Sequence, residues 1–140
     1  MQSSDTCRNA IKGWESCRLA IYDDLNGHPT IGWGHKLTPA EIASAAYTEG
    51  ITQDEADSLF LADLAPVEAQ VDALGHWTQG QFDALTSFTY NLGISNTHVM
   101  LAHGLDQVPV QLGRWVFAGG KIAPGLVKRR AQEVVWWNSV

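Results

Sequence analysis

The sequence predicts an α+β fold, mostly helical, with one small β-hairpin. Three observations carry that expectation. Residues 19–34 alone have hairpin character, with two short strand-forming runs either side of Asn26-Gly27. Thr38, Thr52 and Thr78 each stand three residues before a Glu or Gln and open a segment with helical periodicity. Finally, 140 residues with 45% hydrophobic content are enough to bury one core without disulfides or metals.

Taken in order, Asp5 is the expected N-cap of a first helix. Cys7, Ala10, Ile11 and Trp14 recur at i, i+3, i+4 and i+7 as its apolar stripe, and Glu15 follows at the rim of the core. The hairpin strands are residues 19–23 and 29–34. Thr38-Pro39-Ala40-Glu41 is a capping box with Pro at N1, opening a helix that should end before Gly50. Thr52-Gln53-Asp54-Glu55 opens the longest helix, about 53–73, in which Ala56, Leu59, Phe60, Leu64, Val67, Val71 and Leu74 keep helical spacing. Pro66 should bend that helix or interrupt its ladder. After Thr78, Phe82, Leu85, Phe88 and Leu92 share one face of a central helix that Gly93 stops. Shorter helices are expected over about 96–103, 108–117 and 125–137. Nothing else reads as β, and no internal repeat appears.

The chemistry gathers at the hairpin. A short hairpin after a helix end would bring Asp24 and Thr30 near Glu15, a set suited to general acid catalysis and water activation. Asp23 and Asp24 point to opposite faces of a strand, so only one can face Glu15, and spacing does not choose between them. Both could also be turn residues, and Thr30 a plain strand former. His35 reads as a hydrogen-bonded structural group, with base or ligand as the alternatives. The five histidines come without HExxH or CxxC, and His98 and His103 are five apart, off one helix face, so no metal or cofactor is expected. Trp14, Trp115, Trp136 and Trp137 fall on expected helices as core residues, while Trp33 and Trp77 stay open.

Charge and cysteine usage narrow the class. The net charge is −6, split into −8 over residues 1–75 and +2 over residues 76–140. An acidic chain argues against nucleic acid as partner. Cys7 and Cys17, if both on the first helix, lie roughly 15 Å apart, beyond disulfide reach, so two free thiols are expected. Residues 1–14 lack the apolar core of a signal peptide, and no run reaches the length of a membrane span.

The pattern Glu15-x8-Asp24-x5-Thr30 resembles the catalytic pattern of the T4-type phage lysozymes, glycoside hydrolase family 24. The run Thr30-Ile31-Gly32-Trp33-Gly34-His35 is similar to that family's hairpin return. Residues 81–88 with Tyr90-Asn91-Leu92-Gly93 resemble its second signature, and residues 125–130 its C-terminal one. Three motifs in the right order over about residues 8–137 are far more specific than a bare E-x8-D-x5-T.

The resemblance implies a lysozyme-like two-lobed fold in a single domain, residues 1–140. A small β-hairpin lobe, about 13–52, would be joined by a long helix, about 53–73, to a helical lobe, about 76–140, that includes the first helix. It implies a muramidase, cleaving the β-1,4 bond between N-acetylmuramic acid and N-acetylglucosamine in peptidoglycan. Glu15 would be the general acid, with Asp24, chosen by the family pattern, and Thr30 holding the attacking water. Substrate contacts carry over to Lys36, Tyr90, Asn91 and Thr97. Arg129 resembles the arginine that pairs with the catalytic glutamate; Arg130 is the alternative, and both could form a solvated helix face. The implied setting is a monomeric phage endolysin that accumulates in the host cytoplasm and reaches the periplasmic wall through a holin. A non-catalytic wall-binding module and a secreted antibacterial effector are the other readings.

Overall fold

The computed structural model describes residues 1–139. The elements in chain order are α1 (Asp5–Glu15), β1 (Arg18–Asp23), β2 (Pro29–Gly32), β3 (His35–Lys36), α2 (Pro39–Ala43), α3 (Gln53–Asp72), α4 (Gln79–Leu92), α5 (Ile94–Leu101), a single 3₁₀ turn (Leu105–Gln107), α6 (Val108–Leu112), β4 (Phe117–Ala118), β5 (Lys121–Ile122) and α7 (Pro124–Trp137). The chain is mostly helical, with a small β-sheet lobe and a helical lobe. It divides into two compact units, Glu15–Ala65 and a discontinuous one made of Met1–Trp14 with the chain from Pro66 onward.

In the first unit, β1, β2 and β3 form one antiparallel sheet in that order. Tyr22 pairs with Thr30 and Asp23 with Pro29, while Ile31 pairs with His35. The third strand was not expected: Trp33-Gly34 makes a second tight turn inside what reads as one strand. Ile31, Leu37, Ile51 and Ala56 form a buried cluster, with Cys17, Trp33, Tyr47 and Leu59 packed on it. Both capping boxes form here. Thr38 Oγ1 accepts from the Glu41 N–H while the Thr38 N–H donates to Glu41, and Thr52 and Glu55 repeat the exchange. The expected run toward Gly50 stops early at Ala43, because Ala45 and Tyr47 take left-handed φ of 55° and 65°. That turn delivers the Ile51 N–H to the Leu19 carbonyl at 2.8 Å, so the loop docks on β1 instead of continuing as helix.

Helix α3 keeps its helical assignment through Pro66. The ladder is interrupted there as expected, at the Ala62 carbonyl, but Pro66 and Ala62 are both exposed, so water can take the freed acceptor and the helix continues.

In the second unit every residue from Phe82 to Thr89 is buried, so α4 is enclosed on all sides rather than on one face. It packs against α7 and α5, and α6 also packs against α7. Thr78 caps α4 as read, and Gly93 ends it with φ 88°. The stripe Cys7, Ile11 and Trp14 of α1 belongs to this unit; Cys7 and Ile11 are fully buried, and Trp14 meets Trp136 with ring centroids 6.3 Å apart. The cap of α1 is Ser4, not Asp5: Ser4 Oγ accepts from the Cys7 N–H at 3.1 Å, and Asp5 sits in the first turn. Ser4 is anchored in turn by Asp83, which accepts its N–H at 2.9 Å and its hydroxyl at 2.5 Å. The segment expected as one helix over 108–117 is α6 alone. Beyond it lies a two-residue ribbon, β4–β5, turning at Gly119-Gly120, and Trp115 falls in the connection rather than on a helix. Both cysteines are free thiols, and burial pushes the Cys7 thiol pKa up.

Candidate active site

The residues of the E-x8-D-x5-T pattern fall in one unit. Glu15 ends α1 and is half-buried. Ser16 follows with φ 59°, which turns the chain sharply into β1. Gly34, in the turn between β2 and β3, lies against the Glu15 carboxylate: a β-carbon there would stand 2.9 Å from Oε2, at φ +85°. Only glycine meets both conditions readily.

Asp24 lies just past β1, in the turn itself. Its Oδ1 accepts the Asn26 and His28 N–H groups, each at 2.9 Å, so the carboxylate holds the turn together. The His28 N–H is the main reason its pKa lies below the ordinary carboxylate range; burial opposes this, and the Asn26 N–H and the Lys36 ammonium add to the lowering. Lys36 Nζ is 3.8 Å from Asp24 Oδ2. The Lys36 side chain is otherwise exposed. Thr30 is 2% exposed, and its hydroxyl donates to the His28 carbonyl at 2.9 Å. That leaves its lone pairs as the acceptor side. Asp23, one residue earlier, is exposed.

His35 is buried between two carboxylates. Nδ1 is 2.8 Å from Asp63 Oδ2 and Nε2 is 2.9 Å from Glu41 Oε1. Donating from both nitrogens requires the imidazolium. Burial opposes that charge, but the bonds to Glu41 and Asp63 outweigh it and raise the His35 pKa. Burial would likewise raise Glu41, yet the Thr38 N–H and His35 bring it down to about 2. His35 is therefore a structural hub joining β3, α2 and α3. The sign of its pH effect follows. His35 stabilises fully below its ordinary 6.5 and loses that contribution as pH rises through the raised value. Glu41 stabilises above its ordinary 4.5 and loses that contribution as pH falls toward about 2. The difference in melting temperature between wild type and His35→Gln should therefore shrink steadily as pH rises above 6.5. Melts recorded from pH 5 to 9 test this, and a constant difference would contradict it.

The remaining candidates belong to the other unit. Tyr90 and Asn91 are half-buried in the last turn of α4. Asn91 Oδ1 accepts from Arg130 Nη2 at 2.9 Å, which leaves its amide hydrogens available. Thr97 departs from the expected substrate contact. It is fully buried, and its hydroxyl is shared with Thr89 Oγ1 at 2.7 Å and the Gly93 carbonyl at 3.2 Å, where it stitches α5 to α4 and presents nothing to a ligand. Arg129 and Arg130 do not form a solvated face; they are 5% and 1% exposed. The Arg129 guanidinium lies over the Trp14 ring at 4.9 Å and lines a small cavity with Trp14, Ala123, Gly125 and Leu126. Arg130 is committed elsewhere, to Glu133 through two bonds and to Phe88 through its face.

A sequence model of the family described as phage lysozyme matches residues 12–133. The chain belongs to the phage lysozyme family. The match takes in every residue discussed above from Glu15 to Glu133. Among relatives of this phage lysozyme family member, the endolysin of Bacillus phage PZA is 33% identical over 150 residues, covering 99% of this chain and 56% of that protein. This chain thus spans little more than half the length of that relative. The muramidase domain of SpmX from Asticaccaulis excentricus superposes with a TM-score of 0.80 at 27% identity, covering 99% of each chain. The endolysin of Escherichia coli O157:H7 phage FAHEc1 gives 0.78 at 30% identity, covering 99% of this chain and 94% of that one.

Proposed function

We propose that this phage lysozyme family member is a muramidase of the endolysin type. It hydrolyses the β-1,4 bond between N-acetylmuramic acid and N-acetylglucosamine in peptidoglycan. The observation that carries this reading is the pairing, in one hairpin unit, of a half-buried Glu15 with an Asp24 whose turn N–H groups favour its ionised form. The similarity to a muramidase domain and to endolysins supports it.

In this reading Glu15 protonates the leaving glycosidic oxygen. Asp24, anionic, and the lone pairs of Thr30 hold the attacking water on the opposite face of the sugar. That division of labour suits inversion, for which the carboxyls stand about 6.5–9.5 Å apart. Asn91 uses its free amide hydrogens on the glycan, with Tyr90 beside it, and Lys36 contributes at the rim. Among the described residues no helix is long and apolar enough to cross a membrane. The wider reading is a monomer that accumulates in the host cytoplasm, has no nucleic-acid partner and depends on a holin for access to the wall.

The test is NMR of the product anomer formed from a defined glycan. An inverted anomer is expected. A retained anomer would make Asp24 a nucleophile, and an inert protein that still binds the glycan would make the chain a binding module.

A further inference from the structure

The contact between Gly34 and Glu15 must be held in place by something other than the two residues themselves. Gly34 is in a turn flanked by left-handed glycines, Gly32 at φ 66° and Gly34 at φ 85°, with Trp33 between them. Such a turn has little stiffness of its own, because glycine supplies freedom rather than restraint. The stiffness comes from Trp33. Its ring packs on the Ile31–Leu37–Ile51–Ala56 cluster, and its indole N–H donates to Asp57 Oδ1 at 2.7 Å. Asp57 is on α3, four residues after Gln53. The Gln53 side-chain amide donates to the same Asp57 Oδ1 at 3.2 Å and also reaches Cys17 Sγ at 3.7 Å. Cys17 stands two residues after Glu15. The two backbone segments that bracket the Glu15 carboxyl, residues 15–17 and 32–34, are therefore both tied to the first turns of α3 through one carboxylate and one amide. All of these residues belong to the single unit Glu15–Ala65.

We infer that Trp33, Asp57 and Gln53 are positioning residues for the Glu15 carboxyl, acting through the Gly34 turn and Cys17. This rests on the reading of Glu15 as the general acid. None of the three needs to touch the substrate. Their effect is to fix where the proton-bearing oxygen lies, and a misplacement of 1 Å from outside the reacting centre can cost about 10²-fold in rate.

Trp33→Phe keeps the ring on the cluster and deletes only the N–H. Asp57→Ala deletes the acceptor for both donors, whereas Asp57→Asn keeps an Oδ1 for them. We expect Trp33→Phe and Asp57→Ala each to lower kcat about tenfold with KM little changed, and Asp57→Asn to stay within about twofold of wild type. In the first two variants the alkaline limb of the pH profile, which reports the general acid, should shift. The double variant should lose no more than the worse single one, since both break one linkage. Circular dichroism verifies folding, and Trp33→Phe serves if Asp57→Ala does not fold. Wild-type kcat and an unmoved limb in folded Trp33→Phe would overturn the inference, as would Asp57→Asn behaving like Asp57→Ala. Glu15→Gln is assayed alongside: if it alone is inactive, the reading of Glu15 stands and only the linkage fails, whereas if it is active, the reading of Glu15 fails.

Discussion

Glu15→Gln should leave a folded protein that no longer clears bacterial walls. Glutamine keeps the size of the side chain and can still lie against Gly34, where the closest approach is to Oε2. What it lacks is a transferable proton. General acid catalysis is worth about 10²–10⁴-fold, and an alkoxide-like sugar leaving group depends on it heavily. Asp24→Asn should be comparably severe for a different reason. Asn can still accept the Asn26 and His28 N–H groups at Oδ1, so the turn survives. The charge is lost, and with it the stabilisation of positive character on the sugar and the polarisation of water. Asp23→Asn is the control. That residue is exposed at the end of β1, and its variant should be nearly silent. A turbidity assay on purified walls, with circular dichroism to confirm folding, is sufficient. Wild-type clearing by folded Glu15→Gln would show that the proposed chemistry is wrong.

The second large effect is on stability. Arg130→Ala should cost about 3–5 kcal/mol, the usual cost of leaving one member of a buried ion pair alone. Glu133 is fully buried, and burial pushes its carboxyl up to about 7 even though Arg130 pulls the other way. Without the guanidinium, Asn91 Oδ1 and the Trp115 carbonyl also lose a donor. The pH dependence has a definite sign. A raised carboxyl pKa means stability falls as pH climbs from the ordinary 4.5 to the folded value. In the variant that value lies higher still, so the deficit should widen above pH 7. At roughly 3 °C per kcal/mol, the melting temperature should fall by about 10 °C. Replacing both residues with apolar ones, Arg130→Met with Glu133→Leu, should recover most of the loss. A single-variant cost under about 1 kcal/mol would mean that the pair is not a keystone of α7.

Local signals in the chain identify most elements. Capping boxes are short-range chemistry, so Thr38, Thr52 and Thr78 start helices where the sequence says they should. Glu15, Asp24 and Thr30 fall in one unit because a helix end and a tight hairpin follow each other closely along the chain. What the sequence does not reveal depends on partners distant along the chain. Ser4 outcompetes Asp5 as a cap because Asp83 orients its hydroxyl, and nothing near residue 4 announces that. A two-residue strand such as β3 or β4 has no periodicity to detect. Whether Arg129 and Arg130 are buried or form a solvated face is not legible locally; their burial depends on Trp14 and Glu133 respectively. Thr97 aligns with a contact position, but the short Gly93 connection turns its hydroxyl back toward Thr89. Trp33 is ambiguous in isolation, and the carboxylate that accepts its indole N–H, Asp57, lies twenty-four residues away.

The discontinuity of the helical unit bears on the order in which the molecule assembles. Glu15–Ala65 is one uninterrupted stretch and can close on its own contacts as soon as it has been synthesised. Helix α1 cannot. The Ser4–Asp83 bonds span 79 residues and the Ser3–Glu68 bonds span 65, so α1 finds its partners only after the chain through α4 has been made. Until α4 is made, the Cys7–Ile11–Trp14 stripe has nothing to bury it. That apolar stripe is therefore left uncovered while residues 15–78 are being made.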